Sequence, residues 1–421
     1  MKEFIPAIAA AVFLRIIAAP AAVNGTFSVG GDVNNDGVFN IADVVSLQKW
    51  LIGSNEMLIN WEAGDLYPDE CLDSFDLVIM KNMLLKQNRN IIRVTDTEEL
   101  KSALTNAKPG DEIVLAPGEY IYSGATPKGR MFTGEADGRK DAPIVIRSED
   151  PDSPSIISGI STSGSYALTI TGDWWVVENI KITNAAKGVI LDNSNHTRLI
   201  GCEVYNIGQE GVHFRDGSSY CTAENCFVHD TGLQTPAYGE GFYVGSAKNT
   251  TEYDHSCHYN RISGCTVGPN VAAEHVDVKE YTIGTIIEKC IFDGTGMSGE
   301  NYADSFVDLK GNDCILRYCT AYRNGSVNIN RAFEMNRQVD GWGQNAYIYG
   351  NKAYMDTSVN SLGKKMVIVN SWDCTETVWG NFMAYEDGIL FSVDNEEDRW
   401  KYYNCSDLTY GDPSMEAELP E

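Results

Sequence analysis

The stretches GVHFRD (211–216), GFYVGS (241–246), HVDVKE (275–280) and FVDLKG (306–311) repeat one short strand pattern in which apolar and polar residues alternate. Related copies are GVILDN from residue 188, FEMNRQ from residue 333 and ILFSVD from residue 389. A strand unit that recurs every few dozen residues is typical of a solenoid, in which each repeat stacks on the previous one. The repeats therefore predict a mainly β solenoid of parallel strands.

Alternation assigns the side chains of each repeat to two faces, because successive residues of a strand point in opposite directions. The apolar set is predicted to face the core and comprises Val212, Phe214, Phe242, Val244, Val276, Val278, Val307, Leu309, Phe333 and Met335. One outward column contains His213, Tyr243, Asp277, Asp308 and Glu334, and the next contains Arg215, Gly245, Lys279, Lys310 and Asn336. We expect this outward face to be solvent-exposed and to carry the chemistry.

The spacing of the first outward column supports one coil per repeat. Its members are separated by 30 (243−213), 34 (277−243), 31 (308−277) and 26 (334−308) residues. Neighbouring coils of a parallel sheet lie about 4.8 Å apart, so these side chains should stack on one another.

The pattern resembles the right-handed parallel β-helix of pectate-lyase-like proteins, over residues 91–396. The resemblance implies a polysaccharide lyase, which cleaves a uronic-acid polymer such as pectin by β-elimination. In such enzymes acidic side chains hold Ca²⁺ beside the substrate carboxylate, and a Lys or Arg removes the adjacent proton. Asp277, Asp308 and Glu334 would bind the metal, and Lys279 or Lys310 would be the base.

Further polar and aromatic residues would complete this groove. The predicted catalytic set comprises Lys279, Lys310, Asp308, His213, Arg215 and Tyr243. Residues predicted to bind the substrate, by gripping carboxylates or stacking on sugar rings, are Glu240, Arg331, Arg337 and Trp342.

Three other interpretations of the outward columns stay open. The charges could form an exposed salt-bridge ladder, which contributes little to stability. Asp277 and Glu334 could act as the carboxylate pair of an inverting glycoside hydrolase, which needs a separation of about 6.5–9.5 Å. The solenoid could also be a non-catalytic module for carbohydrate binding or adhesion.

Nearer the amino terminus, GDVNNDGVFNIADVVSLQKWLIG (31–53) combines oxygen-bearing residues with an amphipathic helix. The spacing is that of a calcium loop, with Gly37 at the sharp turn and ligands from Asp32, Asn34, Asp36, the Val38 carbonyl, Asn40 and Asp43. GDLYPDECLDSFDLVIMKNMLL (64–85) repeats this plan with Asp65, Asp69, Asp73 and Asp76. The two segments predict a small all-α module of two loop-helix repeats.

This duplication resembles a dockerin, over residues 28–87. Dockerins attach secreted plant-cell-wall enzymes to the cohesin domain of a scaffoldin, so the resemblance implies a cohesin partner and bound Ca²⁺. The second loop departs from the pattern, because Tyr67 replaces an Asn or Asp ligand and Glu70 replaces the turn glycine. Loop positions ten and eleven, which choose the partner, are Ile41 and Ala42 in one repeat and Ser74 and Phe75 in the other.

Composition excludes several classes of partner. The chain has 32 Lys and Arg against 59 Asp and Glu, a formal charge of −27, which disfavours nucleic acid and anionic membranes. Several cysteines recur at one point of the repeat, which favours a buried ladder of thiols, although stacked neighbours could oxidise. We expect a monomer that binds an acidic polysaccharide.

The ends of the chain predict export and a polar tail. Lys2, an apolar run and small residues at 18–22 have the layout of a signal peptide over residues 1–22. No later segment has the roughly 20 apolar residues that span a bilayer. Residues 397–421 form an acidic tail. We therefore expect a secreted, extracellular protein associated with a cellulosome.

Overall fold

The computed structural model describes residues 29–54, 57–87, 89–355, 365–369, 374–379, 381–383 and 389–393. The predicted signal peptide (1–22) and acidic tail (397–421) lie outside these residues. The chain divides into two compact units, Met1–Asn88 and Arg89–Glu421. Within the described residues, no helix is both long and apolar enough to cross a membrane.

The smaller unit contains two helices, α1 (Ile41–Leu51) and α2 (Ser74–Gln87), and a 3-10 turn at Trp61–Ala63. Asn40 begins α1 with a capping box, in which its side chain accepts a hydrogen bond from the helix and the Asp43 carboxylate accepts one from the Asn40 N–H. The apolar faces of the helices meet in a small core of Val33, Phe39, Val44, Leu47, Leu72 and Met80.

The larger unit is a coil of three parallel sheets, which confirms the predicted β solenoid. Among the described residues, eleven strands form sheet 1: Asn90–Val94, Asp111–Leu115, Ile144–Ser148, Trp175–Glu178, Arg198–Ile200, Thr222–Glu224, Arg261–Ser263, Ile286–Glu288, Ile315–Arg317, Ala346–Tyr349 and Glu376–Trp379. Ten form sheet 2: Arg130–Gly134, Tyr166–Ile170, Lys187–Asp192, Val212–Arg215, Phe242–Val244, Val276–Val278, Val307–Leu309, Arg331–Met335, Lys365–Val369 and Ile389–Val393.

Sheet 3 completes each coil and also has ten described strands: Glu119–Ile121, Ile156–Ser158, Lys181–Ala185, Glu203–Ile207, Phe227–Val228, Thr266–Val267, Ile291–Asp293, Thr320–Tyr322, Lys352–Tyr354 and Phe382–Met383. Short 3-10 turns occur at Pro127–Gly129, Pro236–Tyr238 and Glu300–Tyr302. Each of these strands pairs in parallel with the strand one coil away, so the order of the strands in the chain is also their order along the solenoid.

The predicted register of sheet 2 is confirmed residue by residue. His213 pairs with Tyr243, Tyr243 with Asp277, Asp277 with Asp308, and Asp308 with Glu334. Because parallel strands pair without a shift here, residues about thirty positions apart in sequence become direct neighbours on one face.

The interior of the coil is apolar, as the alternation predicts. The ten residues predicted to face inward are all fully buried. Burying a large apolar side chain contributes about 1.5–3 kcal/mol, so these columns hold the coils together. The thiols at the starts of sheet 3 strands are also buried and free, as expected of a ladder: Cys202, Cys226, Cys265, Cys290 and Cys319.

Helix α3 (Thr97–Thr105) closes the amino-terminal end of the coil. Asp96 caps it by accepting a hydrogen bond from the Glu99 N–H. Leu100 and Leu104 bury their side chains in the main core, which would otherwise end in open strands.

The predicted exposure of the outward columns is wrong. His213, Asp277, Asp308 and Glu334 point away from the apolar interior, yet each is at most 6% exposed. Residues from the segments around 247–249, 301–304 and 336–338 line the space over Asp277, Asp308 and Glu334. The charges therefore form a buried polar cluster, to which the small energies of exposed ion pairs do not apply.

The second calcium loop contains a strained residue that gives the first testable prediction. Glu70 has φ = 64°, where the equivalent Gly37 of the first loop has φ = 90°. This left-handed region costs a non-glycine residue about 1–2 kcal/mol. Glu70→Gly should therefore slow amide hydrogen exchange in α2, corresponding to roughly 1 kcal/mol of added local stability after the entropy cost of glycine.

The first loop supplies the matched control for this measurement. Gly37→Glu places a side chain in open space but in the same left-handed conformation, so exchange in α1 should accelerate. Faster exchange in Glu70→Gly would show that the backbone at this position is not strained.

Candidate active site

A cavity of about 580 Å³ lies on the outer face of sheet 2, over the strands Val276–Val278, Val307–Leu309 and Arg331–Met335. Its lining is mostly charged, in contrast to the apolar interior of the coil on the other side of the same strands. The lining residues are Ala247, Lys248, Asn249, Glu274, Asp277, Lys279, Glu280, Asn301, Tyr302, Asp304, Asp308, Lys310, Arg331, Glu334, Asn336 and Gln338.

Lys310 is enclosed by two carboxylates. Its Nζ lies 2.6 Å from Oδ1 of Asp277 and 2.6 Å from Oδ2 of Asp308. Burial alone would lower the pKa of Lys310, but Asp277 and Asp308 raise it well above its usual value. Lys310 is therefore a permanently charged ammonium that neutralises its neighbours, and it is poorly suited to accept a proton.

Lys279 has a different environment, although it follows Asp277 by only two residues. Its Nζ lies 2.6 Å from Oδ2 of Asp277, its one ion pair in the described part of the chain, and 4.9 Å from the centre of the Tyr243 ring. Its side chain is about twice as exposed as that of Lys310 and lines the cavity. Of the two predicted bases, Lys279 is the one that a substrate can reach without breaking two buried ion pairs.

Asp277 is the centre of this charge network. Burial opposes its ionisation, but the ammonium groups of Lys279 and Lys310 outweigh burial and hold the pKa of Asp277 below its usual value. Both of its oxygens accept hydrogen bonds from ammonium groups, so the carboxylate is fully paired.

Tyr243 and His213 lie next to the lysines on the preceding coils. Their rings meet edge to face with centroids 4.5 Å apart. Burial and Asp277 raise the pKa of Tyr243 well above its usual value, so its phenol stays protonated. Burial and the charges of Lys187 and Arg215 lower the pKa of His213 well below its usual value.

The neutral His213 ring has a fixed tautomer. Its Nε2 lies 2.8 Å from the carbonyl oxygen of Gly245, which can only accept, so Nε2 carries the proton. His213 therefore packs against Tyr243 as a neutral ring, and neither residue is part of the cavity lining.

Arg331 and Glu334 form the far wall of the cavity. The guanidinium pairs with Glu334 at 2.7 Å and with Asp304 at 2.9 Å. Burial and Asp308 raise the pKa of Glu334 to about 9 despite this contact. The predicted metal set of Asp277, Asp308 and Glu334 is thus already supplied with cations by Lys279, Lys310 and Arg331.

Two carboxylates next to this network, those of Glu240 and Glu274, form no ion pair among the described residues, and with Asp277 they make a carboxylate trio that fits a metal. Glu240, Glu274 and Asp277 are buried, and each offers an oxygen within 4.8 Å of the others. Burial and neighbouring carboxylates raise the pKa of Glu240 well above its usual value and that of Glu274 to about 8. Oε2 of Glu240 is a buried oxygen with no hydrogen-bond partner among the described residues. An all-oxygen donor set of this kind suits Ca²⁺.

Besides His213, Tyr243 and Glu240, three further predicted site residues lie outside the cavity lining and make other contacts. Arg215 makes a bidentate ion pair with Asp192, at 2.6 and 2.8 Å. Arg337 contacts Asp340 at 3.3 Å, and the Trp342 ring meets Tyr281 with centroids 5.4 Å apart.

Sequence reasoning left several lining residues out of the predicted site. Lys248, Asp304 and Gln338 come from connecting segments that do not repeat, so aligning the strands gives no signal for them. Lys248 links two such segments, since its Nζ donates to the Gln338 carbonyl at 2.9 Å. Glu274 could have been found, because it occupies the repeat position of Glu240, three residues before the predicted column.

The calcium loops of the smaller unit have the geometry that the sequence predicts for the first repeat. The Asp32 carboxylate accepts hydrogen bonds from the backbone of Asp36 and Gly37, and Asp43 accepts from Asn34 and Asn40. Asp65 and Asp76 make the equivalent contacts in the second repeat. These bonds wrap each loop around its acidic residues, as an oxygen-lined Ca²⁺ site requires.

Comparison with known proteins places both units. Residues 87–298, half of the chain, match the model of the Pel9A-like right-handed β-helix region. The chain belongs to the Pel9A-like right-handed β-helix family. Residues 30–85 match the type I dockerin domain, so the predicted dockerin is confirmed.

Several proteins similar to this Pel9A-like chain are lyases. An alginate lyase from Paenibacillus sp. str. FPU-7 is 45% identical with a TM-score of 0.67, over 72% of this chain and 99% of that one. Pectate lyase L of Dickeya chrysanthemi is 25% identical over 342 residues, 70% of this chain and 75% of the relative. Pectate lyase Pel9A shares the fold, at 15% identity and a TM-score of 0.56, over 76% of this chain and 79% of that one. The Pel9A-like chain is a polysaccharide lyase, as the sequence predicts.

Proposed function

We propose that this protein is a secreted lyase that cleaves a uronic-acid polymer by β-elimination, with alginate as the first candidate substrate and Lys279 as the base. The observation that carries the proposal is the contrast between the two lysines of the cavity. Lys310 is held by two buried carboxylates, whereas Lys279 has one ion pair, faces the cavity and lies over Tyr243.

The choice of polymer rests on the relatives and on the charge of the site. The alginate lyase shares 45% of its sequence with this chain, and its full length is covered. Pectate is the second candidate, because the matching family is Pel9A-like and a pectate lyase is a curated relative. In both polymers the sugar carries a carboxylate, which explains why Lys279 and Arg331 line a cavity in so acidic a protein.

In the proposed reaction, Lys279 in its neutral form removes the proton from C5 of the uronate. The electron pair of the broken C5–H bond forms the C4=C5 double bond, and the bond from C4 to the glycosidic oxygen breaks. That oxygen must gain a proton, and we assign this role to Tyr243, whose phenol stays protonated and whose ring centre lies 4.9 Å from Nζ of Lys279. The two groups lie on adjacent coils, on the same side of sheet 2.

The C5 proton becomes acidic only when the neighbouring carboxylate is neutralised. Lys310 supplies a fixed positive charge beside the base, and Glu334, whose pKa is raised to about 9, can donate a hydrogen bond as a neutral acid at pH 7. A Ca²⁺ ion held by Glu240, Glu274 and Asp277 would add Lewis-acid stabilisation of the developing negative charge.

The dockerin suggests where this reaction takes place. We propose that the module binds a cohesin domain and so attaches the lyase to an extracellular scaffold. Ile41 and Phe75, which occupy partner-selecting loop positions, are 60% and 64% exposed. Exposed apolar side chains at these positions are available for a protein partner.

The substrate experiment uses the full chain against polymannuronate, polyguluronate, polygalacturonate and a neutral glucan. We expect ultraviolet absorbance from unsaturated ends with the two alginate polymers, because Lys279 and Arg331 favour a carboxylate and the 45% identical relative is an alginate lyase. Absorbance with polygalacturonate alone would make pectate the substrate. New reducing ends without absorbance would contradict β-elimination.

The assignment of the base predicts a large effect of one substitution. Lys279→Ala should lower kcat by about 10²–10⁴, the usual contribution of a general base, with little change in thermal stability. The control is Lys289→Ala, which removes an exposed lysine next to sheet 1 and should leave kcat unchanged. A Lys279→Ala variant that retains full kcat would show that another group takes the proton.

The metal site predicts a change in binding stoichiometry that does not depend on activity. The full chain should bind one more Ca²⁺ than the Glu240→Gln variant in calorimetric titration, because the substitution removes a ligand of the carboxylate trio. Glu119→Gln alters an exposed carboxylate on sheet 3 and should keep the wild-type stoichiometry. Equal stoichiometry in all three proteins would mean that the trio holds protons and no metal.

A further inference from the structure

The amino-terminal coils of sheet 2 carry a second group of charged and aromatic residues, outside the cavity around Lys279. Part of this group forms a column on sheet 2, three residues before the column that contains Asp277. In the strand register, Arg130 lies opposite Tyr166, and Tyr166 lies opposite Lys187. Backbone hydrogen bonds continue this column through Glu210, Glu240 and Glu274. The column therefore changes from cationic and aromatic residues to carboxylates as it approaches the active site.

The cationic end of this column has an excess of positive charge. Arg130 and Arg215 share the single carboxylate of Asp192. Arg130 donates one hydrogen bond to it at 2.8 Å, and Arg215 donates two, at 2.6 and 2.8 Å. Lys187 pairs with Glu210 at 2.8 Å. The ion pair with Asp192 uses one of the five N–H donors of Arg130, whose side chain is 23% exposed. In a chain of net charge −27, such an excess favours an anionic ligand.

Two tyrosines lie among these cations. The ring centre of Tyr166 lies 5.7 Å from the Lys187 ammonium and 5.5 Å from the Arg215 guanidinium. The ring centre of Tyr253 lies 4.0 Å from the same guanidinium. Both tyrosines are partly exposed. Aromatic rings beside guanidinium groups offer an apolar surface and charged donors together, which suits a sugar ring that carries a carboxylate.

A separate cavity of about 410 Å³ adjoins these residues at the strand Arg130–Gly134. Three cations line it, Lys101, Lys128 and Arg130, against one carboxylate, Glu135. Lys101 pairs with Glu98 at 2.9 Å, whereas the exposed Lys128 makes no ion pair among the described residues. The other lining residues are Thr105, Tyr122, Pro127, Met131, Phe132 and Thr133.

Five coil steps separate the strand Arg130–Gly134 from the strand Val276–Val278, which precedes Lys279. At about 4.8 Å for each step, the two sites lie roughly 24 Å apart on one sheet. We propose that Lys128, Arg130 and Tyr166 form a distal subsite, which binds carboxylate-bearing sugar units of the same polymer that is cut at Lys279. The inference rests on the proposed function and adds that the enzyme prefers long chains.

The test compares a long polymer with a short oligomer. Lys128→Gln combined with Arg130→Gln should raise KM for the uronate polymer about three- to tenfold, the effect of losing one or two partly exposed charge pairs. For a uronate tetrasaccharide, which is too short to connect the two sites, kcat and KM should stay at wild-type values. Arg139→Gln with Lys140→Gln is the control, because these exposed cations lie outside sheet 2.

Folding is separated from binding by a conservative variant. Arg130→Lys keeps the charge next to Asp192 and should retain most of the polymer affinity. Equal losses on polymer and tetrasaccharide, or no loss on either, would overturn the distal subsite.

A binding measurement distinguishes this inference from the proposed function. Affinity electrophoresis of the full chain in gels that contain alginate or polygalacturonate needs no turnover. If the wild-type chain is retarded but does not cleave the polymer, the proposed reaction is refuted. The subsite is then still supported if the double substitution abolishes the retardation. No retardation of the wild-type chain in either gel would overturn the subsite.

Discussion

The parallel register of sheet 2 is the constraint on which both the fold and the site depend. Each strand pairs with the next without a shift, so Asp277, Asp308 and Glu334 stack directly above one another. A slip of one residue would turn every side chain of a strand to the other face and place carboxylates in the apolar interior. The apolar columns prevent such a slip, because their burial is lost when the register changes.

The same register forces charges into contact, and the surrounding segments then bury them. Asp277 and Lys310 are almost fully buried, so neither can rely on water for solvation. Each is compensated by the other, and Lys310 also by Asp308. Removing one partner of a buried pair typically costs about 3–5 kcal/mol, because the remaining charge has no replacement. Stability and chemistry are therefore linked at this cluster, and less so at Lys279, which is more exposed.

Much of this arrangement could be predicted from the repeats alone. Alternation identified the inward residues, and the spacing of the copies identified which outward residues share a column. The same reasoning assigned exposure wrongly, since the segments that cover Asp277 and Asp308 come from non-repeating residues such as Asn249 and Asp304.

The roles of the individual charges could not be predicted for a related reason. Lys279 and Lys310 occupy the same repeat position, and only their contacts distinguish the ammonium locked between two carboxylates from the one that faces the cavity. The metal ligands predicted at Asp308 and Glu334 contact Lys310 and Arg331, and a column gives no information on which cation of the protein reaches which carboxylate. Contacts across coils, which depend on side-chain conformation, decide that question.

The charge on the outer face of sheet 2 changes sign along the solenoid. Glu210, Glu240 and Glu274 lie between the cations at Arg130 and those at Lys279 and Lys310. A polyanion laid along this face would be repelled at Glu240 and Glu274 unless these two are protonated or bind a cation, and burial raises the pKa of both carboxyls. The two cationic ends would then hold the polymer while the acidic centre responds to pH or to Ca²⁺. If the proposed function holds, Glu240 and Glu274 therefore affect both the chemistry at Lys279 and how the substrate lies across sheet 2.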